Sequence, residues 1–169
     1  FHRTLTEFQY AFSNGRITYY LQPQVDMETG EIVGAEALTR WIGKDGSLIS
    51  PVTFIPALEE SGFVVTLDKY IWQGVASWLR KRIDRGLRVV PVSLNVSRVD
   101  ILACDVAEHM GALAAQYNLP PELMRIEITE TAYTGESEAV DKLTADLHTL
   151  GFSTYMDDFG TGQSTLAML

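Results

Sequence analysis

Residues 87–97 read LRVVPVSLNVS, with apolar side chains on both alternating faces until the run ends in Asn95 and Ser97. A strand apolar on both faces is one buried inside a parallel sheet, whereas a half-solvated antiparallel strand alternates apolar with polar. This stretch therefore predicts a parallel sheet, and parallel neighbours require crossover helices on either side of it.

The flanking sequence supplies them. Upstream, Leu67, Ile71, Val75, Trp78, Leu79 and Ile83 recur at helical spacing, and Gly86 stops the run. Before that helix, Ser50 and Pro51 read as an N-cap and a first-turn proline, with Phe54, Ile55 and Leu58 inward and Gly62 as terminator. Downstream, Val106, Met110, Leu113 and Tyr117 mark a helix that Pro120 and Pro121 close. LMRIEITE (123–130) is the next strand, and Ala139, Val140, Leu143, Leu147 and Leu150 form another helical stripe ended by Gly151. FSTYM (152–156) is a further strand. At the start, Leu5, Phe8 and Phe12 predict a helix closed by Gly15, and ITYYLQPQVDM, ETG and EIVGAEALTRW predict a hairpin over 17–41. A hairpin followed by strand-helix units is an α/β pattern, leaving a barrel and a doubly wound sheet as the two architectures.

The chain has 169 residues, 46% of them hydrophobic, which suits one domain with a sizeable core. No run approaches the roughly 20 apolar residues of a membrane span, and FHRTLTEFQ lacks a secretory core, so a soluble, cytoplasmic chain without direct membrane contact is expected. The single cysteine, Cys104, excludes an intrachain disulfide and reads as a small buried hydrophobe on a helix. A net charge of -9 argues against polynucleotide as a partner. The basic run RKRIDRGLR (80–88) falls at a helix end, where cations complement the helix dipole. An acidic chain can still take a phosphorylated ligand if metal ions carry the positive charge.

The polar residues are placed by the strands. Glu36 in the second strand, Asn95 in the third, Glu127 in the fourth, and Asp157 with Asp158 after the fifth all lie towards the strand ends on one side. In parallel α/β folds the C-terminal strand ends form the active face. Oxygen donors of this kind suit Mg²⁺ or Mn²⁺, whereas zinc favours histidine and cysteine. A lone strand-end acid more often caps a helix. Glu127, flanked by isoleucines, and Glu36, flanked by alanines, fit that explanation poorly, because buried carboxylates need partners. Arg40 suits either a phosphate or a salt bridge to Glu59 or Glu60, and Gln22 offers a hydrogen-bonding group. Gly160 and Gly162 free the loop after Asp158, with no Gly-Lys-Ser/Thr to make it a P-loop. His2, His109 and His148 share no spacing and are assigned no role.

YYLQPQ, GAEALTRW, SPVTFIPALEESG, SLNVS, RIEITE and DDFGTGQSTLAML follow one another in an order that resembles the EAL domains of bacterial cyclic di-GMP phosphodiesterases. The resemblance covers essentially all of residues 1–169. It implies a TIM-barrel-like (β/α)₈ EAL fold, incomplete after the DDFGTG loop with five to six strands present, and two Mg²⁺ or Mn²⁺ ions that hydrolyse cyclic di-GMP to linear pGpG. It further implies that Glu36, Asn95, Glu127, Asp157 and Asp158 are catalytic metal ligands. Gln22 and Arg40 would contact substrate, and Glu130 would steady the DDFGTG loop. The family's later lysine, glutamates and glutamine are absent here, so inactivity and association through an open last strand are expected of these residues alone. A non-catalytic cyclic di-GMP-binding or dimerisation module is the alternative. The resemblance also points to a sensory or cyclase domain as partner in the parent protein, and allows a homodimer.

Overall fold

The computed structural model describes residues 2–129, 132, 137–157 and 167–168, with the backbone alone at 137, 157, 167 and 168. Helix α1 (His2–Ser13) leads into the hairpin β1 (Ile17–Val25) and β2 (Ile32–Ile42), followed by the two-residue strand β3 (Leu48–Ile49). Helices α2 (Pro51–Ser61) and α3 (Phe63–Asp84) cross over to β4 (Val92–Val96). Next come α4 (Arg98–Ala103), α5 (Val106–Gln116), a 3₁₀ turn (Pro121–Leu123), β5 (Met124–Thr129), α6 (Ser137–Thr149), β6 (Thr154–Asp157) and β7 (Ala167–Met168).

The strand order β1-β2-β4-β5-β6-β7 decides between the two architectures. Pairs β2–β4, β4–β5 and β5–β6 are parallel, and each new strand joins the same side of the last. A doubly wound sheet reverses its order at a switch point. This sheet advances in one direction, as a TIM-type barrel does.

Helices cover one face of the sheet. Val92, Leu94, Val96, Ile126 and Ile128 are fully buried against them, and the alternate residues face the other way. Phe8 ties α1 to this core: its ring stacks on Phe54 at 5.2 Å between centroids and meets Trp41 edge-on at 5.3 Å.

The structure departs from the expectations in several local respects. Helix α4 was not foreseen, because its six residues are too few to show a periodicity; a Ser97–Asp100 capping box starts it. Ser50 occupies the N-cap of α2 but makes no side-chain cap bond, leaving Pro51 as the operative start signal. Cys104 is the C-cap of α4 and only half-buried, its thiol donating to the Asp100 carbonyl at 3.4 Å. Finally, β6 is not a bare edge: β7 pairs with it antiparallel, Tyr155 with Met168 and Met156 with Ala167.

Candidate functional site

Register brings the polar residues together. Gln22 of β1 lies opposite Glu36 of β2, and Glu36 is aligned with Ser93 of β4, two residues before Asn95. Asn95 is aligned with Glu127 of β5, and Glu127 with Tyr155 of β6, two residues before Asp157. Register partners and positions two apart share a face, so these positions form one row on the face away from the helices. From Glu36 to Asp157 the row climbs four residues over three strand steps. A barrel with eight strands and shear eight climbs about one residue per strand along its tilted strands. The stepped register is therefore what levels these groups around the barrel axis.

Glu36 and Arg40 lie within β2 rather than at its end, since the strand runs on to Ile42. Glu127 is 2% exposed, and both it and Glu36 have interaction partners. Asn95 is held at two points: its side-chain Nδ2 donates to the Ala37 carbonyl at 3.4 Å, and its own carbonyl accepts from Trp72 Nε1 at 3.1 Å. That orientation leaves Asn95 Oδ1 buried with no hydrogen-bond partner among the described residues. An unsatisfied buried acceptor costs about 1–3 kcal/mol unless something fills it. A divalent cation would, and an amide oxygen beside two carboxylates is a donor set for Mg²⁺ or Mn²⁺. Among the described residues no three histidine, cysteine or acidic side chains are placed so that they could hold a metal ion. The Asp157 side chain, Asp158 and Glu130 lie outside the described residues.

Arg40 makes no ion pair with Glu59 or Glu60. Its guanidinium donates to the Thr39 carbonyl at 2.9 Å and lies 5.5 Å from the centre of the Tyr20 ring. Gln22 is exposed on the neighbouring strand, opposite Glu36 and four residues along from Arg40's partner Thr18.

Three residues of this region escaped the sequence reading. Ser93, fully buried, has an Oγ with no hydrogen-bond partner among the described residues, on the same face as Asn95. Arg125, two residues before Glu127, lies over the Tyr155 ring at 5.8 Å and reaches β2, where a Cβ on Gly34 would come within 2.9 Å of its Nη1. Counting back by two from Asn95 and Glu127 finds both. Trp72 carries no such signal, since only the packing of α3 brings it to Asn95. Of the histidines, His148 Nε2 is 3.0 Å from Thr154 Oγ1 and His109 packs against Trp72, both structural contacts. A cleft of about 630 Å³ between α1 and the β2–β3 hairpin, lined by Arg16, Trp41 and Lys44, contains none of the row residues.

Comparison with known proteins agrees with this geometry. The EAL domain family model matches residues 5–169. Signaling protein YkoW of Bacillus subtilis is 32% identical over 159 residues, which are 94% of this chain and 20% of that protein. Cyclic di-GMP phosphodiesterase RocR of Pseudomonas aeruginosa is 30% identical over 158 residues, 92% of this chain and 40% of that protein. This chain thus spans between a fifth and two-fifths of those two relatives. Among solved structures, the PaMucR phosphodiesterase in complex with c-di-GMP superposes with a TM-score of 0.85 at 24% identity, over 96% of this chain and 66% of that one. The EAL enzyme Bd1971 with cAMP and cyclic-di-GMP bound superposes at 0.82 with 27% identity, over 96% and 45%. A sheet that advances in one direction through its parallel strands β2, β4, β5 and β6, a stepped row of oxygen-bearing residues and a family match over nearly every residue lead to one conclusion: the chain belongs to the EAL domain family.

Proposed function

We propose that this chain forms the metal-binding part of a phosphodiesterase that hydrolyses cyclic di-GMP to linear pGpG with Mg²⁺ or Mn²⁺. The observation that carries the reading is the row Glu36–Asn95–Glu127 on three neighbouring strands, with Asn95 Oδ1 buried and unpartnered among the described residues. The names of relatives support the substrate, cyclic di-GMP phosphodiesterases RocR and PdeR among them.

In this reading Glu36, Asn95, Glu127, Asp157 and Asp158 would hold two cations, and Glu130 would brace the loop that carries Asp158. When bound, the cations supply Lewis-acid chemistry and neutralise charge at phosphorus. Asn95 contributes a neutral donor whose direction is set by Nδ2 on the Ala37 carbonyl. Burial of Glu127 keeps water from competing for its carboxylate. Arg40, stacked on Tyr20, presents its guanidinium to a substrate phosphate, and Gln22 presents an amide on the adjacent strand. A cytoplasmic location and a sensory or cyclase partner domain belong to the same proposal. Relatives named as a bifunctional diguanylate cyclase/phosphodiesterase and as an oxygen sensor support the partner domain.

The test is a cyclic di-GMP hydrolysis assay on the full-length protein with Mn²⁺ or Mg²⁺, with chelator, and with Glu36→Gln. Chelator- and variant-sensitive production of pGpG is expected. Binding of cyclic di-GMP by calorimetry with no turnover under any metal would replace the enzyme by a binding module.

A further inference from the structure

Helix α3 packs against the β4–α4 corner through positions 68 and 72, one turn apart and so on one face of the helix. The two positions reach opposite ends of the segment 95–100. At the near end, Trp72, 1% exposed, donates its indole N–H to the Asn95 carbonyl at 3.1 Å. At the far end, fully buried Asp100 uses Oδ2 to accept the Ser97 N–H at 2.8 Å in the capping box.

The other oxygen, Asp100 Oδ1, is buried and meets no donor among the described residues unless its neighbour supplies a proton. That neighbour is the Asp68 carboxyl. Two carboxyls in hydrogen-bonding contact are both satisfied when they share one proton. Burial, then the Asp100 charge and hydrogen bond and the Glu59 charge, push the Asp68 carboxyl well above its ordinary value. The pair therefore holds one proton between its two carboxyls. The charged groups facing the pair are Glu59 from α2 and Lys69 from α3.

We propose that Asp68 and Trp72 are positioning residues for the site: Asp68 satisfies Asp100 by sharing a proton with it while Trp72 holds the Asn95 carbonyl, and together they fix the corner so that Asn95 Oδ1 faces the row of oxygen donors. The inference rests on the reading of Asn95 as a site residue, yet its test does not depend on turnover.

Selective ¹⁵N labelling of the three asparagines, Asn14, Asn95 and Asn118, reads the corner directly. The Asn95 side-chain amide is assigned by its loss in Asn95→Gln, and Mn²⁺ serves as the paramagnetic probe. Trp72→Phe keeps the ring and removes the donor. Asp68→Ala removes the proton, and Asp68→Asn keeps an N–H donor. In wild type and Asp68→Asn one Asn95 side-chain environment is expected, broadened by Mn²⁺. In Trp72→Phe and Asp68→Ala that signal should shift or double and need roughly tenfold more Mn²⁺ to broaden. Unchanged Asn14 and Asn118 signals report the intact fold. Wild-type Asn95 signals and broadening in both Trp72→Phe and Asp68→Ala would overturn the proposal. An Asn95 signal that Mn²⁺ leaves untouched in wild type would overturn the metal reading instead, and the shift comparison would still decide the positioning.

Discussion

Asn95 on β4 and Glu127 on β5 are register partners, so an amide oxygen and a buried carboxylate stand side by side on one face of two parallel strands. Glu127 has an interaction partner, whereas Asn95 Oδ1 has no hydrogen-bond partner among the described residues, and an unmatched buried amide oxygen opposes folding.

Glu127→Gln keeps the shape and removes the charge. Affinity for Mn²⁺ should fall roughly 10- to 100-fold, a loss typical of a disturbed metal site. The metal-free protein should melt below wild type, since Glu127 is buried with an interaction partner and losing its charge weakens that contact. Titration calorimetry and thermal melts read the two outcomes, and unchanged Mn²⁺ affinity would remove Glu127 from the site.

Arg40→Ala should raise KM for cyclic di-GMP by about tenfold, consistent with about 1.5–3 kcal/mol for a hydrogen bond to a charged group. Its effect on kcat should be smaller, as expected for a residue that binds the substrate and not the transition state alone. Arg40→Lys should recover little, because lysine cannot reproduce the fork or the stack on Tyr20. Steady-state kinetics separates the two constants.

The Asp68–Asp100 pair makes stability depend on pH in a stated direction. Unfolded, the Asp68 carboxyl titrates near about 3.9. Folded, its value is raised well above that by burial, and that of Asp100 is also raised. A raised folded value means the stabilisation is complete below the unfolded value and is lost as pH rises through the folded one. Urea midpoints should thus decline with rising pH across that window, and Asp68→Asn should flatten the decline. An identical slope in the variant would show that the shared proton is absent.

Phe8→Ala should destabilise by about 3–5 kcal/mol, the usual range for deleting a buried aromatic ring. Phe8 is fully buried and touches Trp41, Phe54 and Phe63, so its loss opens a cavity among three elements. Equilibrium denaturation measures it, and a loss under about 1 kcal/mol would mean that the site collapses around the gap.

Much of this fold is written locally. The two apolar faces of 87–97 announce a buried parallel strand, and the 3.6-residue stripes announce its crossover helices. Strand alternation is equally local: once Asn95 and Glu127 are on strands, Ser93 and Arg125 share their face. Short elements such as α4 and β3 were illegible, since six residues or two cannot display a period.

By itself, then, the amino-acid sequence determined the class of fold, the order of its longer elements and which oxygen-bearing residues lie on the strands, because periodicity and residue chemistry act over a few neighbours. The tertiary structure alone decided the one-directional strand order, the stepped register that levels Glu36 with Asn95 and Glu127, and the reach of Trp72 and Asp68 from α3 to the β4–α4 corner. These depend on contacts between residues far apart in the chain. Such contacts are set by how strands tilt and helices pack, which no local pattern of residues encodes.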